Sequence, residues 1–250
     1  MKTLAEHTPF PYIKLYDIIT EEENEQIMKM CDMIANDYKE EIENFSFFLL
    51  ESDKHLLESN SIERLVRQGV IQNNQGLDEL IFKNYPSEWE VVLKYKGIIA
   101  DRLNTVISEH SEYFPPLTSR ATKRPSEWQV GFNLTADNEN VKPLFPHSDY
   151  RFHILRDMGY GELEEDTEDT MNVEAGGNYK GLIYLGHSDL DYTDYGTRFY
   201  KTENRRSEFE EIPFIPRNGI MFKTQKNSYH GTHFKSGYKN NRFTIIFEYY

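Results

Sequence analysis

Six short runs in the second half of the chain, WQVGFNLT, KGLIYLG, TRFYK, FEEIPFI, GIMFKT and RFTIIFEYY, read as strands set apart by Gly, Pro, Asn and Asp. Strands this short are stable only as part of a sheet, and turn residues at this spacing join antiparallel neighbours. The first half has a different pattern. PYIKLYDII reads as a short strand, and Thr20 followed by Glu23 is a capping box opening a helix through Ile27, Met30 and Ile34. Ser87 and Glu90 form a second such signal after Pro86, opening a helix whose apolar positions Val91, Val92, Tyr95, Ile98, Ile99, Leu103 and Ile107 recur every 3.6 residues. Residues 48 to 84 add one or two shorter helices. Helices first and strands later predict an α+β domain, with N-terminal helices packed on one sheet of a β-sandwich or barrel.

Length fits one sizeable domain: 250 residues, with 1–126 as mainly helical support and 127–250 as the β core. Seventeen Tyr and sixteen Phe supply an aromatic-rich core. The formal net charge of -14 offers no basic footprint for a nucleic-acid backbone, and it disfavours an anionic membrane surface for the same reason. Cys31 is the only cysteine, which excludes an intrachain disulfide and a thiolate zinc site, and it falls on the apolar face of its helix with Ile27 and Ile34. The opening MKTLAEHTPF has no signal-like apolar stretch, and FSFFLL is too short to span a bilayer, so a cytoplasmic protein is expected.

The chemistry concentrates in FPHSDYRF. On a strand, His147 and Asp149 project to one side about 7 Å apart along the backbone, which can offer two ligands to one metal. A second histidine from a facing strand would complete a 2-His-1-carboxylate set, which leaves positions open and suits non-haem iron. His230, in NSYHGTHF, is the candidate. Twelve residues later come Arg242 and Thr244, on one face of RFTIIFEYY, with Phe243, Ile245 and Phe247 on the other. A diacid chelating iron at one end needs a cation for its far carboxylate, and an arginine fork backed by a hydroxyl supplies it.

The order H-x-D, YLG, GTRFY, P-x-x-G-I-M-F, SYHG and R-x-T resembles the Fe(II)/2-oxoglutarate oxygenase superfamily, and the opening PYIKLYDIITEEENEQI is similar to the entry of its prolyl-hydroxylase-like branch. The resemblance covers roughly residues 10 to 36 and 127 to 249. It implies a double-stranded β-helix core (jelly-roll, cupin-like), with Fe(II) held by His147, Asp149 and His230. It further implies 2-oxoglutarate held by Arg242, with Thr244, Tyr184 and Asn133 as helpers, and O2 as oxidant. The reaction implied is hydroxylation of an amino acid, free or peptidyl, or of another small molecule, with release of succinate and CO2. Asp149 counts against a halogenase, where a small residue stands instead.

Rivals exist within the chain. His187 and Asp189 repeat the HSD triplet, but in a stretch rich in turn residues, HSDLDYTDYG. His233 competes with His230, which better matches the S-aromatic-H-G run. His153 reads as a pocket wall or surface residue. Residues 157 to 174 hold eight carboxylates and no basic residue, an exposed loop in which Glu164, Glu165 and Asp166 would favour a cationic substrate. A cupin-like metalloenzyme of other chemistry and a non-catalytic jelly-roll binding module remain open alternatives.

Overall fold

The computed structural model describes residues 1–37, 86–112, 128–135, 146–148, 179–225, 227–232 and 240–249. The chain enters through two antiparallel strands, β1 (Lys2–Glu6) and β2 (Tyr12–Tyr16), and turns into helix α1 (Glu21–Asp37). The expected capping box forms there: the Glu23 amide donates to Thr20 Oγ1 at 3.2 Å, and the Thr20 amide donates to the Glu23 carboxylate at 2.7 Å. Helix α2 (Pro86–Glu109) starts one residue before the second expected box. Pro86 opens it, because the first helical position needs no N–H. Ser87 therefore lies inside the helix rather than at its cap.

Seven strands follow: β3 (Trp128–Thr135), β4 (Tyr179–Leu185), β5 (Thr197–Tyr200), β6 (Glu208–Ile212), β7 (Gly219–Lys223), β8 (His230–Thr232) and β9 (Arg242–Tyr249). They join β1 and β2 in two antiparallel sheets. One runs β1-β2-β7-β4-β9-β3 and the other β6-β5-β8. Each of the six strand-like runs of the second half coincides with one of these strands. Strand β1 carries no apolar alternation, and it pairs along its whole length with β2 through the backbone.

The expectation of a double-stranded β-helix is corrected here. Among the described residues the two sheets share no strand, and neither curls closed into a barrel. What joins them is side-chain contact. Tyr184 of β4 donates to Thr197 Oγ1 of β5 at 2.9 Å, Lys14 of β2 reaches Glu210 of β6 at 2.6 Å, and Tyr12 also donates to Glu210. Such contacts hold two open sheets face to face without an edge-to-edge ladder.

Alternation along the strands divides the large sheet cleanly. One face, with Ile13, Leu15, Ile183, Leu185, Met221, Phe243, Ile245 and Phe247, packs under α1 and α2 against Ile27, Cys31, Ile99 and Leu103. Burial pushes the Cys31 thiol pKa up, so it serves as a small core hydrophobe. Gly181 is required where this layer is tightest: a Cβ there would sit 2.0 Å from the Ile220 carbonyl and 2.5 Å from the Phe247 ring. The opposite face, with Tyr12, Tyr184, Ile220 and Phe222, meets Phe199 and Ile212 of the small sheet. Among the described residues no helix is long and apolar enough to cross a membrane.

Candidate metal and co-substrate site

The histidines singled out in the sequence meet. His147 forms an isolated antiparallel bridge with His230, each amide donating to the other's carbonyl at 2.9 Å. Their ring centroids stand 4.5 Å apart, tilted by 48°. Rings this close can each turn one nitrogen toward a common point, as two histidine ligands of one ion must. His147 extends the small sheet by a single bridge. Asp149, the expected carboxylate ligand, lies outside the described residues, as do His153, His233 and the acidic stretch 157–174. Among the described residues no group of three or more His, Cys, Asp or Glu side chains gathers as a metal set.

The surroundings orient His230. Its Nδ1 is 3.0 Å from the Ser228 carbonyl, which can only accept, so the ring proton sits on Nδ1 and Nε2 carries the lone pair a metal requires. Phe222 packs on the ring at 4.8 Å between centroids. A tight turn supports both segments: the Ser228 amide and hydroxyl donate to the Gln225 carbonyl, which also accepts from Ser148 Oγ at 2.8 Å.

Arg242 and Thr244 lie on the inter-sheet face of β9, both buried. The Arg242 Nε donates to the Tyr195 carbonyl at 3.0 Å, and its guanidinium carbon lies 5.7 Å from the Phe214 ring centre. Its Nη2 and the Thr244 hydroxyl are buried without a hydrogen-bond partner. A buried unpaired polar atom costs about 1–3 kcal/mol and more when charged, so two side by side mark a place built for an anion. Tyr184 pairs with Thr244 across the β4–β9 ladder. Burial pushes its phenol pKa up to about 12, against the lowering influence of Thr197 and Arg242. It therefore keeps its proton and gives it to Thr197. Asn133 is the register partner of Thr244 on its other side, in the β3–β9 ladder.

Thr197 is a residue that the sequence reading passed over. It is 2% exposed and shares the inter-sheet layer with Tyr184. Its register partner is Thr232, and that of Phe199 is His230. Along β5, Thr197 therefore lies one two-residue step, about 7 Å, from the position opposite His230. A five-carbon diacid with bonds of about 1.5 Å spans roughly 5 Å between its end carbons, which fits that interval.

The fold is similar to a prolyl-4-hydroxylase from Pseudomonas putida, 9% identical over 95% of this chain and 91% of that one, with a TM-score of 0.47. It is also similar to a prolyl hydroxylase from Trichoplax adhaerens in complex with a hypoxia inducible factor oxygen degradation domain peptide fragment. That chain is 11% identical over 96% of this one and 83% of its own length, with a TM-score of 0.45. No family model and no curated protein matches the sequence. The likeness is one of fold, and the reading of the site rests on the chain's own residues.

The rival triplet lies elsewhere. His187 Nε2 contacts Asp32 of α1 at 2.7 Å, and Asp189 is exposed in the turn that follows. Both belong to the loop after β4. An open surface pocket of about 330 Å3 there is walled by His187, Tyr192, Phe214 and Ile215. Phe214 stacks on Tyr192 and is also the ring near which the Arg242 guanidinium lies. That pocket belongs to the surface loops, while the paired histidines lie at the small sheet.

Proposed function

We propose that this chain is an Fe(II)- and 2-oxoglutarate-dependent oxygenase that hydroxylates an amino acid, free or peptidyl, or another small molecule. The observation that carries this reading is the pair of orphaned polar atoms on Arg242 and Thr244, on the same inter-sheet face whose Phe222 packs against one of two bridged histidines. The cupin-like and binding-module alternatives give no reason to bury an unpaired guanidinium nitrogen at that place.

In this reading His147, Asp149 and His230 hold the iron, which when bound supplies oxidation of an unactivated carbon coupled to conversion of 2-oxoglutarate to succinate and CO2. The chain's own part is positional. Arg242 gives its free Nη2 to the far carboxylate, and a guanidinium in a dry site holds a carboxylate more firmly than it would in water. Thr244 donates its unpaired hydroxyl to the same carboxylate. Tyr184 donates to Thr197, whose own hydroxyl proton then points onward to the acid, with Asn133 beside Thr244 as a further helper. Phe214, Phe199 and Phe222, buried in the inter-sheet layer, would keep water from the bound acid.

The test is to add Fe(II) and 2-oxoglutarate without oxygen and to follow the weak visible charge-transfer band of the chelate. The band is expected in the parent and absent in His147→Ala, Asp149→Ala and His230→Ala. A parent that binds iron but shows no band with 2-oxoglutarate favours the cupin-like alternative. One that binds no metal favours the binding module.

A further inference from the structure

Thr224 follows β7 and, by strand alternation, continues the row of Ile220 and Phe222 on the inter-sheet face. It is 3% exposed, and its Oγ1 is buried without a hydrogen-bond partner. A hydroxyl so placed is a net loss to the folded chain that a valine of the same shape would avoid. Its retention points to a partner that arrives later.

The sheet register says from which side. Leu185 pairs with Phe243 at the Arg242 end of the sandwich, whereas Tyr179 pairs with Lys223 at the opposite end. Tyr184 and Tyr179 are five residues apart, about 17 Å. The histidines lie between these ends, with the His230 ring against Phe222. Co-substrate reaching from Arg242 to the histidines occupies one side of them, and Thr224 lies on the other. The next residue, Gln225, receives hydrogen bonds from Ser148 and Ser228, which tie this position to both histidine segments.

We infer that Thr224 binds the organic substrate, its hydroxyl taking a neutral hydrogen-bonding group carried on an apolar body. This deepens, and rests on, the oxygenase reading. An apolar body suits the surroundings, since Phe222, two residues before Thr224, and Phe10, packed edge to face on it with ring centroids 5.8 Å apart, are both apolar. Neutrality is selected because, among the described residues toward the Thr224 end of this face, charged side chains pair with one another: Lys180 with Glu248 and Lys14 with Glu210, each at 2.6 Å. Among the described residues, an added charge there would meet a hydroxyl and closed ion pairs, with no countercharge to offset its desolvation.

The experiment uses the full chain and the variants Thr224→Val and Thr224→Ser. The oxygen-free charge-transfer band with Fe(II) and 2-oxoglutarate is measured first. Its absence in the parent defeats the oxygenase reading itself, and its loss in Thr224→Val alone defeats only the present inference. Calorimetry on the loaded, oxygen-free protein then uses N-acetyl-leucine amide, N-acetyl-lysine amide and N-acetyl-glutamate amide as probes. The neutral probe is expected to bind parent and Thr224→Ser alike and Thr224→Val about 3- to 10-fold more weakly, the factor of one neutral hydrogen bond. It is also expected to bind the parent more tightly than either charged probe. Without ligands, Thr224→Val should melt at the parent's temperature or a few degrees above it, since no bond is lost. No binding of the neutral probe to the parent, equal binding to Thr224→Val, preference for a charged probe, or a lowered melting temperature for Thr224→Val would each overturn the inference.

Discussion

The two faces of the six-stranded sheet are built on opposite accounts of polarity. Under the helices, apolar side chains interlock and the polar groups among them are matched. Glu23 takes two bonds from Arg102, Asn24 bonds the Gly186 carbonyl, and the Trp128 indole donates to Asn104. Between the sheets, Arg242, Thr244 and Thr224 each keep a buried polar atom unpaired. A face that only had to hold the fold together would not leave such atoms in place, because apolar replacements of the same shape are neutral or better. The helix-side face carries stability, and the inter-sheet face gives some of it up to keep a site.

Substitutions break or sharpen this contrast. Phe247→Ala empties a fully buried place under the helices and should cost about 3–5 kcal/mol in urea unfolding. Arg242→Met does the reverse: stability should stay within about 1 kcal/mol, while 2-oxoglutarate affinity falls about 100-fold, near 2.7 kcal/mol, in anaerobic titrations. A loss of stability as large as that of Phe247→Ala would place Arg242 among the structural residues.

Glu23→Gln should cost about 1–2 kcal/mol, since it weakens the charged bonds to Arg102 that link α1 and α2. The Arg102 guanidinium holds the Glu23 carboxyl pKa below the usual carboxylate range, against its partial burial. A depressed carboxyl stabilises the fold above its unfolded pKa, near 4.3, and the contribution is lost as pH falls through the folded value. From about pH 5 downward the parent should therefore lose its advantage over Glu23→Gln, as thermal melts at each pH would show. The smallest effect is expected from Thr244→Val: no loss of stability, and 2-oxoglutarate binding weaker by about 3- to 10-fold.

What was legible in the sequence follows the same division. The period of two placed Arg242 and Thr244 on one face of β9 and Phe243, Ile245 and Phe247 on the other, because one-sided burial leaves its alternation in the residues themselves. Thr20 and Glu23 announced α1, since their bonds are local. Strand β1 was not foreseen: KTLAE has no strand pattern, and its pairing with β2 is made by the backbone. Ser87 misled, because Pro86 at the first helical position shifts the start by a residue. The closed jelly roll expected for the core fails on long-range pairing, which strand runs alone do not specify. Thr197 appeared only inside the GTRFY run and Thr224 left no signal, since a lone threonine gains its meaning only from being buried beside a particular neighbour.

If the orphaned groups between the sheets await a metal and a five-carbon diacid together, the two ligands should stabilise the chain jointly. The most direct measurement is the melting temperature of the oxygen-free protein with Fe(II) alone, 2-oxoglutarate alone, both, and Fe(II) with the one-carbon-shorter oxaloacetate. Ligand at about 100 times its dissociation constant stabilises by about 2.7 kcal/mol, which in a chain of this size is a rise of roughly 5–10 °C. That rise is expected for Fe(II) with 2-oxoglutarate, with a much smaller one for each alone or for oxaloacetate, and its loss in Arg242→Met. No rise with the pair, or an equal rise in Arg242→Met, would contradict this expectation.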